Sequence, residues 1–260
     1  MRLTAIHTYA IKGCAGVSHE EANFDAFGLA WDRRWMLVDP DGNFVSQRTV
    51  AALSLVQATV GPDALIVRAE AAEFALPLET TARPARMVTC WADRCAAWDE
   101  GDTVAEWFSD VLNAPLRLVR MADGFARPHG AAFADAYPLL IIGEASLTDL
   151  NSRIVERGGS ELPMNRFRPN LVIAGAEAYE EDGWTSVQIG EVTIDCATRS
   201  ARCKVTTVDQ ALGRIVNSAE PLNTLSQYRR DGSKVVFGRN ASHRGPGTFR
   251  VGQTVVADTG

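Results

Sequence analysis

For its first hundred residues this chain carries no helical period, only short alternating or wholly apolar runs broken by turn-forming residues. A strand buries every second residue, and such a run ends where Gly, Pro, Asn or Asp bends the backbone. That pattern restricts the first third to short-stranded β structure. Residues 2–11 alternate and end at Ile11-Lys12-Gly13-Cys14, where the glycine permits a turn or a close backbone approach to a ligand. Runs at 34–38 and 44–47 flank Asp39-Pro40-Asp41-Gly42, a strong hairpin signal. Further strands are expected near 53–60, 64–69, 74–78 and 86–91.

A helical period first appears at 103–113, where Val104, Trp107, Phe108, Val111 and Leu112 share a face; Asp102 reads as its N-cap and Pro115 as its stop. A strand follows at 116–121. The stretch 122–136 is rich in Gly and Ala and has no period, so it is either a binding loop or a linker. Next come an apolar strand at 139–142, a helix from Glu144 that Gly158-Gly159 stops, a buried-type strand at 170–174 and a hairpin over 187–196. A helix at 222–230 and strands at 235–238 and 249–257 close the chain. The fold class is therefore α+β, mostly β, with a β-rich N-terminal domain over 1–118 and a second domain over 119–260. A chain of 260 residues accommodates two.

Net charge is −6, which argues against a general nucleic-acid binder, but residues 199–250 carry ten Lys/Arg against three Asp/Glu. A basic segment in an acidic protein suits a small anionic ligand, or is a solvated face. Five cysteines without close pairs exclude the common zinc and iron–sulfur spacings and a secreted disulfide framework. With no signal peptide or membrane-length apolar run, the expected location is the cytoplasm, with no membrane partner.

Within the basic segment, Arg199, Arg202 and Lys204 crowd Cys203, and Val205 and Thr207 read as a strand with Cys203 at its mouth. Cationic neighbours favour the thiolate, the form that attacks carbon or binds metal. The competing reading is a buried, inert cysteine beside surface cations. A second cluster is Arg166-Phe167-Arg168-Pro169-Asn170, where Pro169 fixes the backbone just ahead of a strand. An arginine fork and a carboxamide held there suit a phosphate or a heterocycle edge; a structural arginine bonding loop carbonyls is the alternative. Lys12-Gly13 and Asp32-Arg33-Arg34 supply further basic sites at strand ends. No glycine-rich phosphate loop and no G-x-S-x-G occur, and the histidines at 7, 19, 129 and 243 give no convincing nucleophilic triad.

Taken together, FRPN before an apolar strand, then R-C-x-x-T-T-V-D some thirty residues on, resemble the MOSC domain (the C-terminal domain of molybdenum cofactor sulfurase). YAIKGCAG and WDRRWMLVDPDGNFVSQR resemble the β-rich domain preceding MOSC in the mitochondrial amidoxime-reducing components and their bacterial relatives; YPLLIIGEASLTDLNSR and FGRN…GPGTFRVGQTV fit the same family. The resemblance spans nearly the whole chain and implies an N-terminal β-domain packed on a MOSC β-barrel, with the molybdenum cofactor (Mo-molybdopterin) between them. It implies Cys203 as the metal ligand and Arg33, Arg168 and Lys12 on phosphate and pterin. Asn170, Ala201, Arg202 and Asn240 fall around the cofactor, and Gly13, Ala136 and Tyr137 contribute chiefly through backbone groups. Departures are Gly13 and Gly143, both serine in the family, and DQALG for D-P-D-T-G. The implied activity is reduction of N-hydroxylated compounds such as hydroxylamine-type bases and amidoximes; the alternative is a cofactor carrier or sulfur-transfer module without turnover. Some bacterial relatives carry an appended ferredoxin-like domain. This chain ends at Gly260, and it has neither cluster-spaced cysteines nor a G-x-G-x-x-G loop. A separate ferredoxin, flavodoxin or cytochrome-type protein is thus the expected electron donor.

Overall fold

The first strand, Arg2–Thr8, leaves the β-rich residues that follow it in sequence and pairs antiparallel with Leu171–Ala174. The computed structural model describes residues 1–79, 83–128 and 131–260. It places that strand in a nine-stranded sheet whose path runs Val255–Asp258, Ser186–Ile189, Val192–Ala201, Lys234–His243, Leu139–Gly143, Leu171–Ala174, Arg2–Thr8, Val17–His19, with Arg230–Asp231 alongside Lys234–His243. The ends of the sheet meet. The Val255 N–H donates to the Met1 carbonyl at 3.0 Å and the Leu3 N–H to that of Gln253 at 3.0 Å. Closure covers the strand edges and makes a barrel around Leu3, Ile6, Ile141, Ile173, Trp184 and Ile194, all fully buried.

Leu139–Gly143 and Leu171–Ala174 are parallel neighbours, so the chain between them must cross over. Helix Glu144–Glu156 begins that crossover and packs Leu150 and Ile154 outside the barrel against Phe167, Leu225 and Phe237. A second sheet holds Ala85–Cys90, Asp93–Asp99, Arg117–Met121, Trp35–Val38 and Ile11–Lys12. Alternation sends Trp35, Leu37 and Leu118 to one face, where helix Asp102–Leu112 adds Phe108 and Leu112, and Met36, Val38 and Val119 to the other. The chain passes from barrel to second sheet at Tyr9-Ala10. There the Arg33 N–H donates to the Tyr9 carbonyl at 2.8 Å and the Trp35 N–H to that of Ala10 at 3.1 Å. Lys12 and Arg33 are thereby placed at one seam between the two sheets. The fold is α+β and mostly β, as read from the sequence. Among the described residues no helix is long and apolar enough to cross a membrane.

Several local expectations change. Residues 204–207 form a 3₁₀ turn instead of a strand, because both threonines bond back to the chain: Thr206 Oγ1 to the Cys203 carbonyl at 2.9 Å and Thr207 Oγ1 to that of Lys204 at 2.7 Å. Residues 44–47 pair only through Phe44, and 51–55 are a 3₁₀ turn before the strand Gln57–Val60. The helix after residue 100 is capped by Gly101 at φ 98°, while Asp102 lies in its first turn and pairs with Arg117 at 2.9 Å. The strand Lys234–His243 runs through Gly238 at φ +80°, where a Cβ would lie 2.9 Å from the Ile141 carbonyl oxygen. The glycine therefore lets the strand continue past a close neighbour.

Candidate functional site

At the seam between barrel and second sheet lies a cavity of about 570 Å³. All eleven residues singled out from the sequence line it: Lys12, Gly13, Arg33, Ala136, Tyr137, Arg168, Asn170, Ala201, Arg202, Cys203 and Asn240. They arrive from the sheet-to-sheet crossing (Lys12, Gly13), the turn before Trp35–Val38 (Arg33), the 122–136 stretch and the residue after it, the FRPN turn, the end of the long Val192–Ala201 strand with the residues just after it, and the strand Lys234–His243 (Asn240). The described part of 122–136 is thus a lining loop, not a linker, through Ala134, Asp135 and Ala136; residues 129 and 130, His129 included, lie outside the described residues.

Seven cations line this space, Lys12, Arg33, Arg48, Arg168, Arg199, Arg202 and Lys234, and four of them are tied into its wall as follows. Arg33 pairs with the buried Asp32 and donates to Asn170 Oδ1 at 3.0 Å. Its guanidinium and that of Arg168 both lie over the Tyr9 ring, at 4.5 and 4.1 Å from the centroid. Arg168 donates to the Cys14 carbonyl at 2.7 Å. Arg202 donates to the Phe167 carbonyl at 2.6 Å and to Ser200 Oγ at 3.1 Å, and its buried Nε has no partner. Lys12 pairs with Asp135. Burial pushes the Arg168 and Arg202 guanidinium groups below their ordinary value. Arg33 feels burial too, but the Asp32 carboxylate outweighs it and the group goes up. An anion entering the cavity would stabilise the charged form of Arg168 and Arg202.

Backbone strain gathers here. Arg33 (φ 50°), Arg168 (φ 57°) and Trp91 (φ 58°) all sit in the left-handed region and all line the cavity. Each such residue costs on the order of 1–3 kcal/mol, which the surrounding structure must over-determine. A residue before proline is normally extended, so Arg168 at positive φ ahead of Pro169 is held there by its neighbours.

Cys203 is the one of the five cysteines that lines the cavity. Burial pushes Cys14 up to about 12 and Cys95 and Cys196 up to about 11, and raises Cys90 as well, so these four remain thiols. Of the cations that crowd Cys203 in sequence, Arg202 shares the cavity, Arg199 lines it while paired to Asp231 at 3.1 Å, and Lys204 points to solvent. The FRPN segment divides the same way. Arg168 faces the cavity, whereas Arg166 is structural, donating to the Thr207 carbonyl at 3.0 Å and to Asp209 at 2.9 Å. Arg34 also turns away, toward Asp25 at 3.1 Å.

Sequence reasoning missed Asp32, Asp135 and Trp91. Asp32 is buried; it accepts from the Tyr9 N–H at 2.7 Å and from Asn170 Nδ2 at 3.2 Å, besides pairing with Arg33. Asn170, fully buried, spends its side chain on Asp32, Arg33, the His7 carbonyl and the Leu140 N–H, so it positions Arg33. Asp135 accepts from Trp91 Nε1 at 2.8 Å. The Lys12 ammonium and the hydrogen bonds from Lys12 and Trp91 hold its carboxyl below the usual carboxylate range.

A closed β-barrel whose seam with a second β-sheet gathers buried cations and one cysteine defines the class. Residues 1–115 match the MOSC N-terminal beta barrel domain and 128–256 the MOSC domain, so the chain belongs to the MOSC family. It is 33% identical to mitochondrial amidoxime-reducing component 1 of Homo sapiens, over 95% of this chain and 80% of that protein. It is 34% identical to mitochondrial amidoxime reducing component 2 of Bos taurus, over 85% of this chain and 70% of that one. It is also 30% identical to molybdenum cofactor sulfurase of Oryza sativa subsp. japonica, over 92% of this chain but 32% of that longer protein.

Proposed function

We propose that this chain binds the molybdenum cofactor in the seam cavity and reduces N-hydroxylated small molecules with electrons from a separate protein. The observation that carries the reading is the convergence of Cys203 with seven cations, Lys12, Arg33, Arg168 and Arg202 among them, on one cavity of a few hundred cubic ångströms. The donor set suits the group. Lys12, Arg33 and Arg168 supply charge and donors for a phosphate, Arg202 adds a further positive charge, and a cysteine thiolate is a soft ligand for the metal. Gly13, Ala136 and Tyr137 offer backbone groups, and Ala201 and Asn240 line the same cavity. When bound, the cofactor supplies the two-electron redox chemistry, and the net reaction takes R₂N–OH, two electrons and two protons to R₂NH and water. The protein's part is to hold the anionic group in place, present the thiolate and confine the substrate.

Cofactor-loaded protein is expected to reduce an aryl amidoxime with reduced viologen and to stay silent with NADH alone. Sustained turnover with NADH and no second protein would contradict the need for a donor. The likeness to molybdenum cofactor sulfurase favours a second reading, a carrier or sulfur-transfer module. That reading predicts bound cofactor and no viologen-driven turnover.

Arg168→Ala is expected to lower cofactor occupancy, because a hydrogen bond to a charged group, about 1.5–3 kcal/mol, is lost. Arg34→Ala, whose side chain pairs with Asp25 away from the cavity, is expected to leave occupancy unchanged. Molybdenum content of the two variants, purified alongside wild type, checks this; equal content in Arg168→Ala and wild type would remove Arg168 from the site.

A further inference from the structure

Directly after the Cys203 turn, the chain forms a small hairpin, Val208–Asp209 against Arg214–Ile215. Its first strand is fixed to the body of the protein. Val208 is fully buried, Asp209 pairs with Arg166, and Gln210 Nε2 donates to Gln47 Oε1 at 2.8 Å on the cavity wall. Its turn and second strand carry open apolar side chains: Leu212 is 52% exposed, Ile215 45% and Val216, just after it, 61%. Leu55, 39% exposed, packs against the hairpin turn, with its Cδ1 2.7 Å from where a Gly213 Cβ would stand. Four of the eight large hydrophobic side chains exposed on the described surface therefore gather at this hairpin. Scattered exposed apolar residues are ordinary, whereas a contiguous group marks an interaction surface.

The charge beside the patch selects the partner. Arg214 on the hairpin and Lys204 at the start of the segment leading to it are exposed and form no ion pair among the described residues. Asp209, the carboxylate of this hairpin, is already committed to Arg166. The patch is thus apolar with uncompensated positive charge, on a chain whose net charge is −6. An acidic surface with an apolar centre is its complement, and such charge pairing governs encounter rate and orientation.

We infer that the hairpin surface formed by Leu55, Leu212, Ile215 and Val216, flanked by Lys204 and Arg214, docks an acidic one-electron carrier protein. The inference rests on the reductase reading, since it is that activity that needs a donor. The location suits electron delivery, because the hairpin follows Cys203 by a single 3₁₀ turn and Gln210 joins it to the cavity wall. A carrier seated there would lie over the cysteine segment while leaving the cavity to substrate.

The test uses cofactor-loaded full-length protein and the variants Arg214→Glu and Leu212→Ser/Ile215→Ser, none of them altering a cavity-lining residue. The donors are reduced viologen and, separately, pre-reduced acidic ferredoxin, flavodoxin and cytochrome-type proteins. Affinity for the oxidised carrier is titrated at low ionic strength as a readout independent of turnover. The expected result is at least a tenfold loss in carrier affinity and in carrier-dependent kcat/KM for both variants, a weaker salt dependence for Arg214→Glu, and unchanged viologen-driven rates. Unchanged carrier affinity and kinetics in both variants would overturn the surface alone. Viologen-driven turnover in wild type with none of the three carriers active would overturn the acidic partner. A wild-type dimer that the Leu212→Ser/Ile215→Ser variant splits would assign the patch to a second copy instead. Failure of viologen itself would remove the reductase reading, and the docking surface with it.

Discussion

Replacing Cys203 by serine is expected to abolish reduction of an N-hydroxylated substrate while leaving the fold intact. Serine is close in size, and in the extended conformation of residue 203 (φ −133°, ψ 180°) it meets no backbone conflict. The 3₁₀ turn that follows is anchored on the Cys203 carbonyl by Thr206, a contact serine retains. What changes is the ligand: a hydroxyl has a far higher pKa than a thiol and is a poor soft donor. Viologen-driven turnover and a thermal unfolding scan, measured on the same preparation, check the two halves. Full activity in Cys203→Ser, with the other four cysteines untouched, would overturn the assignment.

Asp32→Ala is expected to destabilise the chain by about 3–5 kcal/mol, the cost of stripping one partner from a buried ion pair. Asp32 is 3% exposed and satisfies the Tyr9 N–H, the Arg33 guanidinium and the Asn170 carboxamide together. Without it Arg33 keeps its charge in a site where burial opposes that charge. Typical domains hold only about 5–15 kcal/mol in all, so the loss is a large share. Denaturant titration reads the stability. Molybdenum content, expected to fall in the same variant as Arg33 loses its alignment, separates this from a loss elsewhere in the fold. A stability change under about 1 kcal/mol would show that Asp32 is not the structural counter-charge.

The parts of the site that were legible in the sequence are those written within a few consecutive residues. Arg168 and Asn170 flank a proline, Arg202 adjoins Cys203, and Lys12 adjoins a glycine, so local chemistry and family likeness both pointed to them. Asp135 and Trp91 were not legible, because their partners come from other segments: Lys12 reaches Asp135 across 123 positions, and Trp91 across 44. Trp91 also takes a backbone conformation, φ 58°, that its residue type does not announce. Asp32 was named only as a neighbour of Arg33, and its role depends on Tyr9 and Asn170 arriving beside it.

The fold divides similarly. Long apolar or periodic stretches such as Leu139–Gly143 and Glu144–Glu156 emerged close to their expected bounds. The strand Asp93–Asp99 escaped notice because its inward residues include Cys95 and Ala97, too small to make alternation conspicuous. Thr206 and Thr207 suggested a strand by their branching, yet their hydroxyls closed a turn. The pairing of Arg2–Thr8 with Leu171–Ala174, and the closure of the barrel by Met1 and Leu3 against Val255 and Gln253, are long-range events with no local signature.

Whether the seam cavity is a molybdenum cofactor site is decided most directly by metal analysis. Protein purified from a host that synthesises the cofactor is to be assayed for molybdenum by elemental analysis and, after denaturation, for pterin by fluorescence. Molybdenum and pterin are expected in matching amounts, approaching one of each per chain, and in sharply lower amounts in Arg168→Ala. Protein that is folded and carries neither molybdenum nor pterin would contradict the assignment.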